Sequence, residues 1–406
     1  DARNGRENPA ARGDGLMSAF GNMLGIRATL MLGAQDVATP APFHAMEAIE
    51  EIEVRQSAVR RSGLKLTLGA GRDGPLGLFG PPFVGDPQFS PGARIGVTVW
   101  NGIKPTVIFE GRVTKSQYMP GTGENEGRYV LLGRDLSDDM DREERRTQHP
   151  AQDETAIANA IALSYGALGI VPMVFPPTVL DPVIPAVRAP QQTGTDLCYL
   201  REMAGRHGYQ VFLDPGPTPG LSTLYFGPTP IPGPPQKTIS VNSGPFTDAY
   251  DVTVNHDGHE MTAARAMVQD SATGETTELE MPVATNIPMT AMPENLTRQG
   301  RLRTTWVPTS GLTTPQALAR LMGRINSEAR SPIKVRGSID NARYNAVLKP
   351  HRLVQVRGLG MFSNGPYQVV EVRHKLKPGQ YTQDFELHRD GLLPIVPVVT
   401  PEVASI

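Results

Sequence analysis

Arg94-Ile-Gly-Val-Thr-Val-Trp100 returns 258 residues later, where Arg94-Ile95 falls on Arg352-Leu353. The same offset places Phe109 on Tyr367, Thr114 on Val372 and Pro120-Gly121 on Pro378-Gly379. Once the following turn is shortened by three residues, Leu132, Arg134 and Asp135 fall on Leu387, Arg389 and Asp390. One gapless offset thus aligns three strands, and self-similarity of this kind is the mark of a duplicated structural unit.

The surroundings of the first copy show what the unit is. Leu64, Leu66 and Leu68 alternate with Lys65 and Thr67, preceded by Ile49, Ile52 and Val54. Period two buries one face of a strand. Thr106 to Tyr118 and Arg128 to Leu132 continue the pattern between turns at Asn101-Gly102 and Gly121-Thr-Gly123, and Arg27 to Leu32 reads as a short strand before it. A long meander with two exposed edges invites aggregation, so closure into a barrel is expected. Around the second copy, Tyr250 to Asn255 is expected to pair with the stretch from His259 across an Asp257-Gly258 turn. A helix should start with Thr314 as N-cap and Pro315 at the first position, burying Leu318, Leu321, Met322 and Ile325. Strands resume from Val335 to Asp390.

Between the copies the period changes. Asp153 to Tyr165 places Ile157, Ala160 and Ile161 on one helical face, and Thr195 to His207 does the same with Leu197, Leu200, Met203 and Ala204. Tyr209 to Leu213 and Thr223 to Phe226 read as a two-stranded hairpin, and Pro228 to Pro235 as a stiff linker. The fold class expected is therefore mainly β with an α+β insertion: two tandem tube-like β-barrel domains flanking a small α/β module. The divisions are an N-terminal extension over 1–26, a first barrel over 27–148, the insertion and linker over 149–237, a second barrel over 238–391, and a tail over 392–406.

Composition narrows the function. Of 406 residues, Gly 42 and Pro 38 make about a fifth, the signature of a turn-rich folded chain. Lys+Arg 39 against Asp+Glu 41 leaves a net charge of −2, so there is no global basic field for nucleic acid or an anionic membrane. Prolines 172, 176, 177, 182 and 185 interrupt the most apolar stretch, which argues against direct membrane insertion. Arg3, Arg6 and Arg12 before Leu16 to Ile26 resemble a leader, but Glu7 and Asp14 in the basic part argue against one. Residues 251–300 carry eight acids and two Arg, while 330–390 carry eleven Lys/Arg and five acids. That asymmetry suits either pairing within one barrel or docking against copies or neighbours.

Each candidate for chemistry has a cheaper structural reading. Gly69-Ala-Gly71-Arg-Asp-Gly74 has the spacing of a dinucleotide loop but no helix after it. His256, Asp257, His259 and Glu260 resemble a metal cluster, yet a hairpin tip would bring His256 and His259 together for local reasons. A metal bridging subunits is the alternative there. Cys198, the single cysteine, is expected as a buried inert thiol, and His207 as a partner of its helix's C-terminus. Six acids and three Arg between Asp135 and Arg146 read as a solvated or interface face. No catalytic residue, cofactor or metal site is expected, His256 and His259 being weak candidates only.

Several ordered blocks carry a family resemblance: Val107 to Val113, Tyr129 to Ser137, Met140 to Arg145, Ile157 to Tyr165, Thr195 to Ala204, Gly208 to Phe212 and Leu224 to Gly227. Together they resemble the phage late control protein D family over about residues 27 to 391, hubs of contractile tails related to the VgrG hub of type VI secretion. The resemblance implies two tube-like barrels joined by a small insertion, and a homotrimer whose six barrels match a hexameric inner tube protein while meeting a trimeric spike. It also implies baseplate wedge components as neighbours, a spike on a separate chain, and assembly in the bacterial cytoplasm as part of a contractile particle that some systems release. The rival function is a tail-associated hydrolase or glycan-binding protein, which requires a concave polar site.

Overall fold

Strands dominate the computed structural model, which describes residues 26–34, 36–70, 83–121, 127–177, 190–257, 262–269, 274–281, 289–293, 303–328 and 332–395. The first half holds β1 (Ile26–Gly33), β2 (Thr39–Pro40), β3 (Ile49–Ser57), β4 (Gly63–Gly69), β5 (Arg94–Asn101), β6 (Lys104–Met119) and β7 (Arg128–Asp135). The middle holds β8 (Glu144–Gln148), helix α1 (Glu154–Ser164), β9 (Ile170–Val174), β10 (Gln191–Thr195), α2 (Asp196–Arg206), β11 (Gln210–Pro215) and β12 (Ser222–Gly227). The second half runs through β13 (Gln236–Ser240), β14 (Ala249–His256), β15 (Thr262–Gln269), β16 (Thr276–Met281), β17 (Thr290–Pro293) and β18 (Arg303–Trp306). It ends with α3 (Thr314–Glu328), β19 (Ile333–Asp340), β20 (Leu353–Arg357), β21 (Gly365–Lys377), β22 (Gln380–Arg389) and β23 (Gly391–Pro394).

The two halves share one strand order. In the first it is β3-β4-β7-β6-β5-β1; in the second it is β14-β19-β22-β21-β20-β13. Only the last strand differs in direction: β1 is antiparallel to β5, while β13 is parallel to β20. The gapless offset does not survive in register. Each long strand carries a bulge, β6 between Val113 and Lys115 and β21 between Val369 and Glu371. Matching the bulges and the core-facing rows equates Val113 with Val369, Leu131 with Phe385 and Ile95 with Val354, one residue beyond Leu353. Thr114 is then the extra residue of the β6 bulge, the counterpart of Val370, and is exposed, whereas Val372 lies two residues further along, in the regular core-facing row opposite Phe385.

Each half has its own apolar core, around Leu32, Leu66, Phe89 and Phe109 in the first and around Val335, Tyr367, Val372 and Leu387 in the second. A third core joins Ile157, Leu200, Met203 and Phe226 of the middle module. There Asp153 and Thr195 cap the two helices as N-cap residues should. The expected two-stranded hairpin gains a third strand, β9, parallel to β12. The β14 pairing is a correction: its partner is β19, with Val254 opposite Val335, and β15 lies in a separate sheet with β16 and β18 beneath α3. Thr313 precedes α3, and its carbonyl accepts from Ala317 N–H, so the cap falls one residue earlier than the sequence pattern placed it.

Helix α3 touches the end of α2 at Gly323, where an added Cβ would sit 2.5 Å from Gly208 N and 2.6 Å from His207 C. Helix propensity alone says that Gly323→Ala stabilises by about 1 kcal/mol. Because both obstructing atoms are backbone, the expected result has the opposite sign, a loss of about 1–2 kcal/mol from overpacking. Urea midpoints decide it, and a stabilised variant would contradict so close a helix approach.

Candidate interaction site

Among the described residues the sequence candidates do not converge. His256 ends β14 opposite Ile333, and His259 lies outside the described residues, as does most of the Gly69–Gly74 segment. Among the described residues, no three His, Cys, Asp or Glu side chains stand where they could hold a metal ion. No described helix is long and apolar enough to cross a membrane. Cys198 is exposed, not buried, because it lies one position past the inward row of Leu197 and Leu200. His207 contacts the Glu154 carboxylate of α1 rather than its own helix end alone.

The acidic run is a solvated face only in its second part, where Arg142, Glu143, Glu144 and Arg146 are exposed. Asp135 is buried and accepts from Ser62 N–H at 2.7 Å and Ser137 N–H at 3.1 Å. Burial pushes its carboxyl above the usual range against those bonds. Asp138 and Asp141 pair with Arg61, and Asp139 with Arg112 at 2.6 Å, tying the β3–β4 turn and β6 together. Nearby, a polar cavity of about 170 Å³ lies between this turn, α2 and β11, lined among others by Arg61, Asp135, Arg201 and His351. It is smaller than the roughly 300 Å³ at which ligand pockets begin. Asp135, the one acid of the run that lines it, is held by the backbone bonds above.

What the topology does build is a joint. Ile52–Ser57 of β3 pairs antiparallel with Glu371–Leu376 of β21, so one sheet runs unbroken from β14 to β6. The β21–β22 hairpin delivers Leu376 and Tyr381 into the core of the first half. On the inner side of the joint His374 is fully buried. Gln56 Nε2 donates to Ile108 O at 2.6 Å, so its Oε1 faces His374 Nε2 at 3.1 Å and accepts from it. Nδ1 is then the acceptor for the Tyr381 hydroxyl at 2.9 Å. Every polar atom of the imidazole is satisfied in the neutral form, and burial drives its pKa down to about 3. On the outer side Arg55 and Arg373 lie directly opposite, and each finds a diagonal acid: Arg55 with Glu371 at 2.7 Å and Arg373 with Glu53 at 3.3 Å. Half-exposed pairs like these contribute little stability but fix register.

The middle module is clamped to both halves. Arg94, buried, donates to Leu168 O at 2.9 Å and Gly220 O at 3.4 Å, while Glu110 accepts from Gly220 N–H at 2.8 Å. Gly96 faces Glu110 across the sheet, where a Cβ would come within 2.9 Å of the carboxylate. From the second half, Arg352 reaches Asp214 at 2.9 Å and His351 stacks on Phe212. Period-two reading could not find these groups, because Arg94, Glu110, Gln56 and His374 look like ordinary polar members of alternating strands.

No family model matches the sequence, and no curated protein matches it either. Solved structures do match. The tail protein from Neisseria meningitidis is similar with a TM-score of 0.62 at 12% identity, over 91% of this chain and 98% of that one. The 43 kDa tail protein of prophage MuSo2 from Shewanella oneidensis gives 0.62 at 13%, over 91% and 100%. A component of the type VI secretion system of Escherichia coli gives 0.50 at 9%, over 87% and 77%. At such identities the likeness is one of fold: the chain has the fold of these phage-tail and type VI secretion proteins.

Proposed function

We propose that this chain is a structural hub in the baseplate of a contractile tail or injection machine, a homotrimer that adapts a hexameric inner tube to a trimeric spike. The observation that carries the reading is the duplication: two halves of one strand order, joined edge to edge in one sheet. Three such chains present six similar units around one axis while keeping true threefold symmetry. The likeness of fold to tail proteins supports the setting. The proposed division is 27–148, 149–237 and 238–391, with tube, spike and wedge proteins as partners and no catalytic role. Mass measurement of the assembled particle tests it: three copies of the 43.8 kDa chain are expected per tube end. Two or six copies would overturn the adaptor.

A further inference from the structure

The joint within the chain has an unused counterpart. In the second half, β21 beyond its bulge carries β22 on one side and β3 on the other. In the first half, β6 beyond its bulge carries β7 on one side, and past Val113 no strand covers the other among the described residues. The counterpart of β3 is β14, which among the described residues pairs with β19 alone. Each half thus contributes one open edge of the kind that the internal joint closes. The two edges sit at opposite ends of the continuous path β14-β19-β22-β21-β3-β4-β7-β6 and are not paired with each other.

Resting on the hub reading, we propose that Lys115–Met119 of one copy pairs antiparallel with Thr253–Asp257 of the next, repeating the β21–β3 joint between chains. The register follows from the matched bulges: Glu371 corresponds to Lys115 and His374 to Tyr118, while β3 residues Val54 and Ser57 correspond to Val254 and Asp257. Tyr118 then lies opposite Val254 and Lys115 opposite Asp257. The side chains fit. Val254 points to the core side of its strand yet is 40% exposed, whereas its counterpart Val54, covered by β21, is fully buried. Met119, also 40% exposed, adds apolar surface to the facing edge. Lys115 and Asp257 give opposite charges across the seam, the arrangement that favours a cross-strand pair. Open edges with exposed apolar side chains favour strand addition, and a second copy supplies both the strand and the register.

The test uses cysteine pairs in the full chain with Cys198→Ser, a change at an exposed position. Gln117→Cys and Asn255→Cys sit opposite each other in the proposed register, and Arg55→Cys with Arg373→Cys marks the internal joint as a positive control. After treatment with a short bismaleimide at high protein concentration, the Gln117/Asn255 variant should run at two and three times the chain mass. The control should be linked within one chain. Moving the second cysteine to Asp251 should lose most of the product. Multimers that form without this cross-link, or that link equally at Asp251, overturn the edge pairing and leave the hub reading standing. A chain that stays monomeric at every concentration and within isolated particles overturns both.

Discussion

Replacing Arg94 by alanine should cost about 3–5 kcal/mol, the cost of removing one partner from a buried ion pair. The guanidinium stands 3.5 Å from Glu110, both side chains nearly inaccessible, and it also satisfies two carbonyls of the middle module. Without it, Glu110 keeps a bond from Gly220 N–H and no countercharge. Burial already pushes that carboxyl above its usual range, so the group would take up a proton rather than stay charged. Loss should fall on the docking of the module as well as on the first core, since Leu168 and Gly220 both belong to the module. Glu110→Met added to Arg94→Met should cost clearly less than the sum of the single changes, because the orphaned charge is gone. Urea denaturation of the four proteins measures this coupling, and strict additivity would show that the pair does not act as a unit.

Stability should fall as the solution is acidified below pH 6.5, and two histidines set the window. His374 in the joint and His351 against Phe212 are both held neutral, with burial lowering each pKa to about 3. In the unfolded chain a histidine takes up its proton near pH 6.5, while in the folded chain these two resist until about pH 3. Their contribution is complete above pH 6.5 and declines as the pH falls toward 3, by about 1.4 kcal/mol per pH unit for each. Glu110, Asp135 and Asp390, raised by burial, act in the opposite sense, since they accept protons sooner when folded. The comparison is therefore with His351→Asn/His374→Gln, in which the carboxylates are unchanged. Between pH 6 and 4 the wild type should lose roughly 2.7 kcal/mol per pH unit more than the variant. Parallel stability curves would mean that neither imidazole is kept neutral.

Strand existence was legible because alternation survives wherever one face is buried, as in Leu64, Leu66 and Leu68. Strand partnership was not. Asp257-Gly258 has the chemistry of a tight hairpin, yet β14 turns to β19, a partner that local sequence does not mark. The repeat was visible, but its register was not, because a bulge adds a residue without changing composition. The joint was hidden for a different reason. Gln56 and His374 are polar residues in alternating strands, and nothing local shows that they are buried against each other 318 residues apart. Cys198 was misplaced by a single helical step, about 100° of rotation, which is enough to carry a side chain from core to surface.

The β3–β21 joint also sets a timetable for synthesis. Arg55 and Glu371, which meet in it, are 316 residues apart. At ribosomal rates of about 5–20 residues per second, β3 waits roughly 15–60 s for its partner. For that interval the row of Ile52 and Val54 has β4 on one side and an uncovered edge on the other. Nascent chains on neighbouring ribosomes would present the same edge at the same moment, so crowding on one messenger favours premature pairing between molecules over the native pairing within one. Yield of folded protein should thus depend on translation speed and on holdase chaperones more than the stability of the finished chain would suggest.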